Sequence, residues 1–163
     1  MKCLQCGGKM TKRREDFEYG DTGIPDVMLA GVEVSRCARC GEFEVAVPNV
    51  EELHRAIAFA VASQRARLSG IEVRFLRKYL GYSATDFATT IGVDKATVSR
   101  WENDKDRIGP IADRLLRLMV FRQRPVEEYP TERLAEVAVD PPRTPKIRAR
   151  PVGATWRAET EGE

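Results

Sequence analysis

Alternating apolar and polar residues mark short strands in the first third of the chain. In Glu42-Phe43-Glu44-Val45-Ala46-Val47 a period of two places Phe43, Val45 and Val47 on one face, and Val32 and Val34 flank Glu33 in the same way. From Asn49, a favourable N-cap, the spacing becomes helical, with Leu53, Ile57, Ala60, Val61 and Gln64 in register and Gly70 expected as the stop. Residues 71–122 then read as four short helices with caps at the junctions. Ile71, Val73, Phe75, Leu76 and Leu80 define the first, which stops at Gly81. Ser83-Ala84-Thr85-Asp86, a capping box with Asp in place of Glu, opens the second, which carries Phe87, Ala88 and Ile91 and closes at Gly92. Asp94 caps the third, residues 95–103, with Val98 and Trp101 inward, and Pro110 in a first turn opens the fourth. Pro125, Pro130, Pro141, Pro142, Pro145 and Pro151 interrupt the remainder of the chain. Residues 125–163 are therefore expected to be a mostly extended tail, ordered on a partner, with a short helix at most at 132–137.

These elements predict an α+β chain in two domains: a small strand-rich unit at 1–48, a linker helix at 49–68, an all-α bundle at 69–124 and the tail. The 163 residues and 18.4 kDa are too few for a barrel enzyme with a large cofactor cleft. No run of about 18 apolar residues and no charged-then-apolar leader is present, so a soluble, cytoplasmic protein without a membrane partner is expected. The net charge of +2 decides little, but its distribution does more. Residues 69–124 hold eleven Lys and Arg against seven Asp and Glu, whereas residues 1–48 hold seven against eight. The lone histidine, His54, expected at the surface of the linker helix, excludes a two-imidazole metal protease. No nucleophile with base and orienting group, no Gly-rich phosphate loop and no open metal site can be assembled, so no enzyme is expected.

The chemistry lies in four cysteines. Cys3-Leu4-Gln5-Cys6 and Cys37-Ala38-Arg39-Cys40 are two C-x-x-C pairs separated by thirty residues, a length that accommodates a strand pair. Four thiolates from two tight turns make the tetrahedral soft site that zinc prefers, and Gly7 and Gly41 directly after each pair permit the positive-φ backbone of a metal knuckle. With every ligand position filled by protein, one structural Zn2+ per chain is expected. An S4 iron site is the sharper rival; two disulfides suit a secreted mini-domain instead, and a metal sensor is a weaker fit to a closed site. Without its ion a unit of 48 residues has too small a core to stay folded. Four thiolates and one dication also add a net −2, which makes the unit acidic, poorly suited to phosphate and better suited to a basic protein.

The basic segment carries a second signature. Phe87-Ala88, then Ile91-Gly92-Val93-Asp94-Lys95-Ala96-Thr97-Val98-Ser99-Arg100-Trp101-Glu102-Asn103, resembles the Cro/C1-type (XRE) helix-turn-helix family. The resemblance implies that the helix after Asp94 enters the major groove of double-stranded DNA, with Lys95, Ala96, Ser99 and Arg100 at base-facing positions. Arg100 is the candidate for bidentate contact with guanine, Lys95 for guanine or phosphate, Ala96 for a thymine methyl and Thr97 for the backbone. Asn103, Lys105 and Arg107, in the loop after this helix, are the expected phosphate contacts. The sequence departs from the family at Ala84, where a DNA-contacting Gln is common. Trp101 reads as core, and Arg74, Arg77, Arg114 and Arg117 as a solvated face.

A C-x-x-C-G pair with a wide spacer, a linker helix and an XRE-type segment, in that order, resembles the MqsA (YgiT-type zinc-finger) antitoxins of bacterial type II toxin–antitoxin systems. The resemblance covers residues 1–122 and leaves out the tail. It implies a structural zinc unit that binds a small ribonuclease toxin, and a helix-turn-helix homodimer that represses its own operon at a palindromic operator. A twofold dimer sets the two reading helices about 34 Å apart. In the tail, Arg143, Lys146, Arg148 and Arg150 form a basic stretch that Trp156 is a candidate to anchor in a partner groove; contact with DNA and a simply solvated stretch, the favoured reading, are the alternatives. A free-standing zinc-containing regulator without a toxin shares every one of these residues and stands as the alternative.

Overall fold

The spacer between the cysteine pairs folds as a hairpin of β1 (Met10–Glu18) and β2 (Val27–Cys37), antiparallel from Met10 opposite Cys37 to Glu18 opposite Met28. The computed structural model describes residues 1–123 and 146–161. β1 shows little apolar alternation because it is an edge strand. Its side chains mostly face water, and cross-strand ion pairs Lys12–Glu33 (2.6 Å) and Arg36–Glu15 (2.5 Å) take the place of apolar contacts. Between the pairs Glu15–Val32 and Phe17–Leu29, β2 contains one residue more than β1. Gly31, at φ +65°, makes this bulge possible, and its N–H donates to Asp16 Oδ1 at 2.9 Å. Val27 and Leu29 before the bulge and Val32 and Val34 after it are consequently all buried, although strict alternation puts the two pairs on opposite faces. β3 (Phe43–Ala46) pairs antiparallel with the second half of β2.

Helix α1 (Val50–Ser63) comes after a left-handed Asn49 whose side chain makes no cap to the helix; its Nδ2 donates to Ala154 O at 3.3 Å instead. The helix ends at Ser63, not at Gly70, because Gln64 is extended and Gly70 already belongs to α2 (Gly70–Tyr79). A capping box, Ser69 with Glu72, starts α2: the buried Glu72 carboxylate accepts from the Ser69 N–H and the Gln64 side-chain amide, each at 2.7 Å. α3 (Ala84–Ile91), α4 (Lys95–Glu102) and α5 (Pro110–Phe121) complete the four short helices. Ser83 caps α3 by accepting from Asp86 N at 3.0 Å, as the sequence indicates.

The expected linker helix is a core element. Leu53, Ile57, Ala58, Val61 and Ala62 are buried, and α1 packs on the sheet as well as on α2 and α5. One apolar core therefore continues from Val27, Leu29, Val32 and Val34 through α1 to Leu76, Phe87, Val98, Trp101, Leu116 and Val120. His54 is half-buried and not at the open surface: its Nε2 is hydrogen-bonded to the buried Tyr19 hydroxyl at 2.9 Å. Burial, and then the charge of Asp21, raises the Tyr19 phenol above its ordinary value. Arg77 and Arg117 also leave the expected solvated face. Arg77 Nε donates to Glu102 Oε1 at 2.5 Å, which ties α2 to α4, and Arg117 is buried against Asp113 within α5.

The tail differs most from its expectation. β4 (Lys146–Val152) and β5 (Thr155–Glu161) form an antiparallel hairpin, and β4 pairs in parallel with β2 at Val27–Leu29. The sheet order is β1-β2-β4-β5, with β3 beside β4 along the same side of β2. Ile147, Ala149 and Trp156 enter the core, and Trp156 Nε1 donates to Pro48 O at 2.5 Å, so Trp156 anchors in this chain's own core. Pro151 fits because it lies near the end of β4, past the segment that pairs with β2. Of the basic stretch, Arg148 pairs with Asp16 at 2.5 Å and Arg150 with Glu159 at 3.4 Å; Arg143 and residues 132–137 lie outside the described residues. Trp156→Ala is expected to cost about 3–5 kcal/mol in a urea titration, with a single transition retained. An unchanged midpoint would show that the hairpin packs too loosely to matter.

Candidate functional site

The four sulfurs converge at a tip of the sheet, the open end of the β1–β2 hairpin away from its turn, all within 4.8 Å of one another. Cys3 Sγ lies 3.6 Å from Cys40 Sγ, and Cys6 Sγ lies 3.5 Å from Cys37 Sγ. All four are free thiols, which disposes of the disulfide reading. Tetrahedral ligands about 2.3 Å from a central ion sit about 3.8 Å apart, so one ion fits this set with small adjustments. The two turns are built alike: Cys3 N–H donates to Gly8 O and Cys37 N–H to Glu42 O, each at 2.8 Å, while Gly7 N–H and Gly41 N–H return to Cys3 O and Cys37 O. Gly7 and Gly41 take φ of +69° and +79°, the left-handed conformation expected of knuckle glycines. The sequence reading overlooked Gly8. A Cβ there lies 3.1 Å from Cys37 Sγ and 3.2 Å from Cys6 Sγ, so a side chain at this position crowds the ligands.

The electrostatics of the tip favour a cation at its centre. The backbone N–H groups of Cys40 and Arg39 hold the Cys37 thiol down at about 7. Cys40 has the Glu42 amide in its favour, yet the Cys6 thiol, burial and then Cys3 and Cys37 push it up to about 12. Four sulfurs this close cannot all ionise unless a cation compensates them. A divalent ion supplies that compensation, and metal binding is accordingly coupled to proton release. Met10, Cys3 and Cys37 form a small cluster of their own, separate from the main core, so apolar packing at the tip is slight.

The second candidate site is α4. Lys95, Ala96, Ser99 and Arg100 are exposed, while Val98, Trp101 and Glu102 on the opposite side are buried. Thr97 is half-buried, with its Oγ1 accepting from Arg100 Nη2 at 3.2 Å. Asn103, Lys105 and Arg107 are exposed in the segment after the helix. Asn103 is already engaged: its Oδ1 accepts from Arg74 Nη2 at 3.1 Å and its Nδ2 donates to Ser99 O at 2.7 Å. Glu102, which the sequence reading passed over, fixes the helix by accepting from Arg74 and Arg77 of α2. Its signal was an acid on the inward side of an otherwise apolar helix face.

Over residues 1–127 the chain matches the family described as the antitoxin component of a bacterial toxin–antitoxin system, MqsA. No curated protein and no solved structure matches it significantly. The matched range contains both the four-cysteine tip and α4; the β4–β5 hairpin lies beyond it. No helix among the described residues is long and apolar enough to cross a membrane. With most of its length inside the match, and the metal-fitting tip and the four short helices in the order the sequence suggests, the chain belongs to the MqsA family of antitoxin components of bacterial toxin–antitoxin systems.

Proposed function

We propose that this chain neutralises a small, basic ribonuclease toxin and, as a homodimer, represses its own operon by reading a palindromic DNA operator with α4. The family match, which runs unbroken from the cysteine tip through α4, is the observation that carries this reading. Physical support comes from each end. The tip offers four thiolates to one structural Zn2+ and no open ligand position, so its role is architectural and not catalytic. The exposed face of α4 sets two cations, Lys95 and Arg100, beside the small residues Ala96 and Ser99, which lets the helix backbone approach a groove. α3 and α4, joined by a turn after left-handed Gly92, then form the helix-turn-helix. Cytoplasmic DNA and a protein toxin are the partners, and no reaction is catalysed.

Arg100→Ala is expected to weaken binding to the preferred duplex by about 1–3 kcal/mol and relax one base position. Fluorescence anisotropy against single-base variants measures this, and an unchanged preference rejects the reading role. The toxin arm is tested by affinity purification of the tagged chain from its native host. One small basic protein at near-equal amount supports neutralisation. Recovery of DNA with no such protein identifies a free-standing regulator instead.

A further inference from the structure

Arg100 is held from two sides. Its Nε lies 2.8 Å from Asp106 Oδ2 in an ion pair, and its Nη2 donates to Thr97 Oγ1 at 3.2 Å. A guanidinium has five N–H donors, so this ion pair and the single bond to Thr97 leave donors for a base edge. The carboxylate is itself fixed by the backbone. After α4 the chain folds back so that the N–H groups of Lys105 and Asp106 both donate to Arg100 O, at 2.9 and 3.3 Å. Asp104, left-handed at φ +52°, accepts from Gly70 N at 2.7 Å and pins that loop to the start of α2. Asp106 is therefore aimed at Arg100 by a braced turn.

Resting on the reading of α4 as the base-reading helix, the geometry points to Asp106 as a positioning residue that sets sequence specificity by orienting the Arg100 guanidinium for a two-donor contact with a guanine edge. An exposed carboxylate beside a duplex repels phosphate and lowers affinity for every sequence. Its presence is explained if it sharpens the choice among sequences, because an oriented, charge-paired guanidinium loses less freedom on binding the correct base and cannot swing to a phosphate. Exposed ion pairs contribute little to folding, so the effect falls on recognition and not on stability.

The test uses the metal-loaded full chain and a pool of randomised double-stranded DNA. The selected duplex and its single-base variants are then titrated with the native chain, Asp106→Ala, Asp106→Asn, Arg100→Ala and the Asp106→Ala/Arg100→Ala double variant. Asp106→Ala is expected to melt as the native chain does, bind mismatched duplexes more tightly and lose about threefold to tenfold in preference at one base pair. Arg100→Ala removes preference at that same pair, Asp106→Asn loses part of it, and the double variant matches Arg100→Ala. A native preference in Asp106→Ala beside a lost preference in Arg100→Ala overturns the positioning role alone. A native preference in Arg100→Ala overturns the DNA-reading assignment of α4 and the positioning role with it.

Discussion

Replacing Cys37 with Ser is expected to abolish stoichiometric metal binding and to release the sheet tip, raising amide exchange across residues 1–10 and 36–42. Structural zinc sites contribute on the order of 10 kcal/mol of apparent binding free energy at neutral pH, more than any other single feature of this chain. Four converging sulfurs surround space for one ion, and little apolar packing exists there beyond Met10. The sequence alone predicts that the whole of residues 1–48 unfolds without metal. The structure narrows this, because Val27, Leu29, Val32 and Val34 belong to the main core with α1 and the β4–β5 hairpin. Exchange in those residues is expected to stay slow. Metal analysis showing one zinc per chain in the variant, with native exchange at the tip, refutes the assignment; metal analysis of the native chain separates zinc from iron.

Arg117→Ala is expected to lose about 3–5 kcal/mol in chemical denaturation. The Arg117 side chain is inaccessible to solvent. Its Nε donates to Asp113 Oδ1 at 2.5 Å, and its Nη groups donate to the carbonyls of Ala62 (3.0 Å), Gln64 and Ala66 (2.6 Å). Those carbonyls lie in the last turn of α1 and just past it, where helix geometry leaves acceptors without partners. Asp113 Oδ2 completes the arrangement by accepting from Leu68 N at 2.9 Å. Truncation leaves the buried Asp113 carboxylate without its cation and takes one donor each from the carbonyls of Ala62, Gln64 and Ala66. Arg117→Lys keeps the charge but not the fork of donors, and is expected to recover less than half of the loss. A melting curve for Arg117→Ala that overlays the native one contradicts this account.

Local rules made much of the helical half legible. Ser83, Gly92 and Pro110 each mark a boundary by side-chain or backbone chemistry that acts within four residues; Asp94 stands at the start of α4 as expected, but its side chain makes no cap to the helix. The cysteine tip was legible for the same reason, since two short turns and their glycines encode it. Misreadings arose where the deciding partner is distant in sequence. β1 carries a charged pattern because its pairing is specified by β2; Arg77 is buried because Glu102 meets it, and Arg117 because the carbonyls of Ala62, Gln64 and Ala66 do. Nothing near Ile147 announces that its neighbour is Val27. Gln64 was placed inside the preceding helix because a stop at Gly70 outweighed the Ser69-x-x-Glu72 signal, which starts α2 at Gly70 itself.

The parallel pairing of β2 with β4 sets the order of events during synthesis. Leu29 lies opposite Ala149, about 120 residues later along the chain, and closing a loop of that size is among the slowest steps a small protein undertakes. As the nascent chain emerges, the β1–β2 hairpin and α1–α5 are available long before residues 146–161 leave the ribosome. Until then Val27 and Leu29 have one open flank, and the groove that Trp156 fills is bare. A chain that has emerged only as far as α5 thus has its metal ligands and α4 in place but its sheet unfinished, with the Val27–Leu29 edge open to other strands.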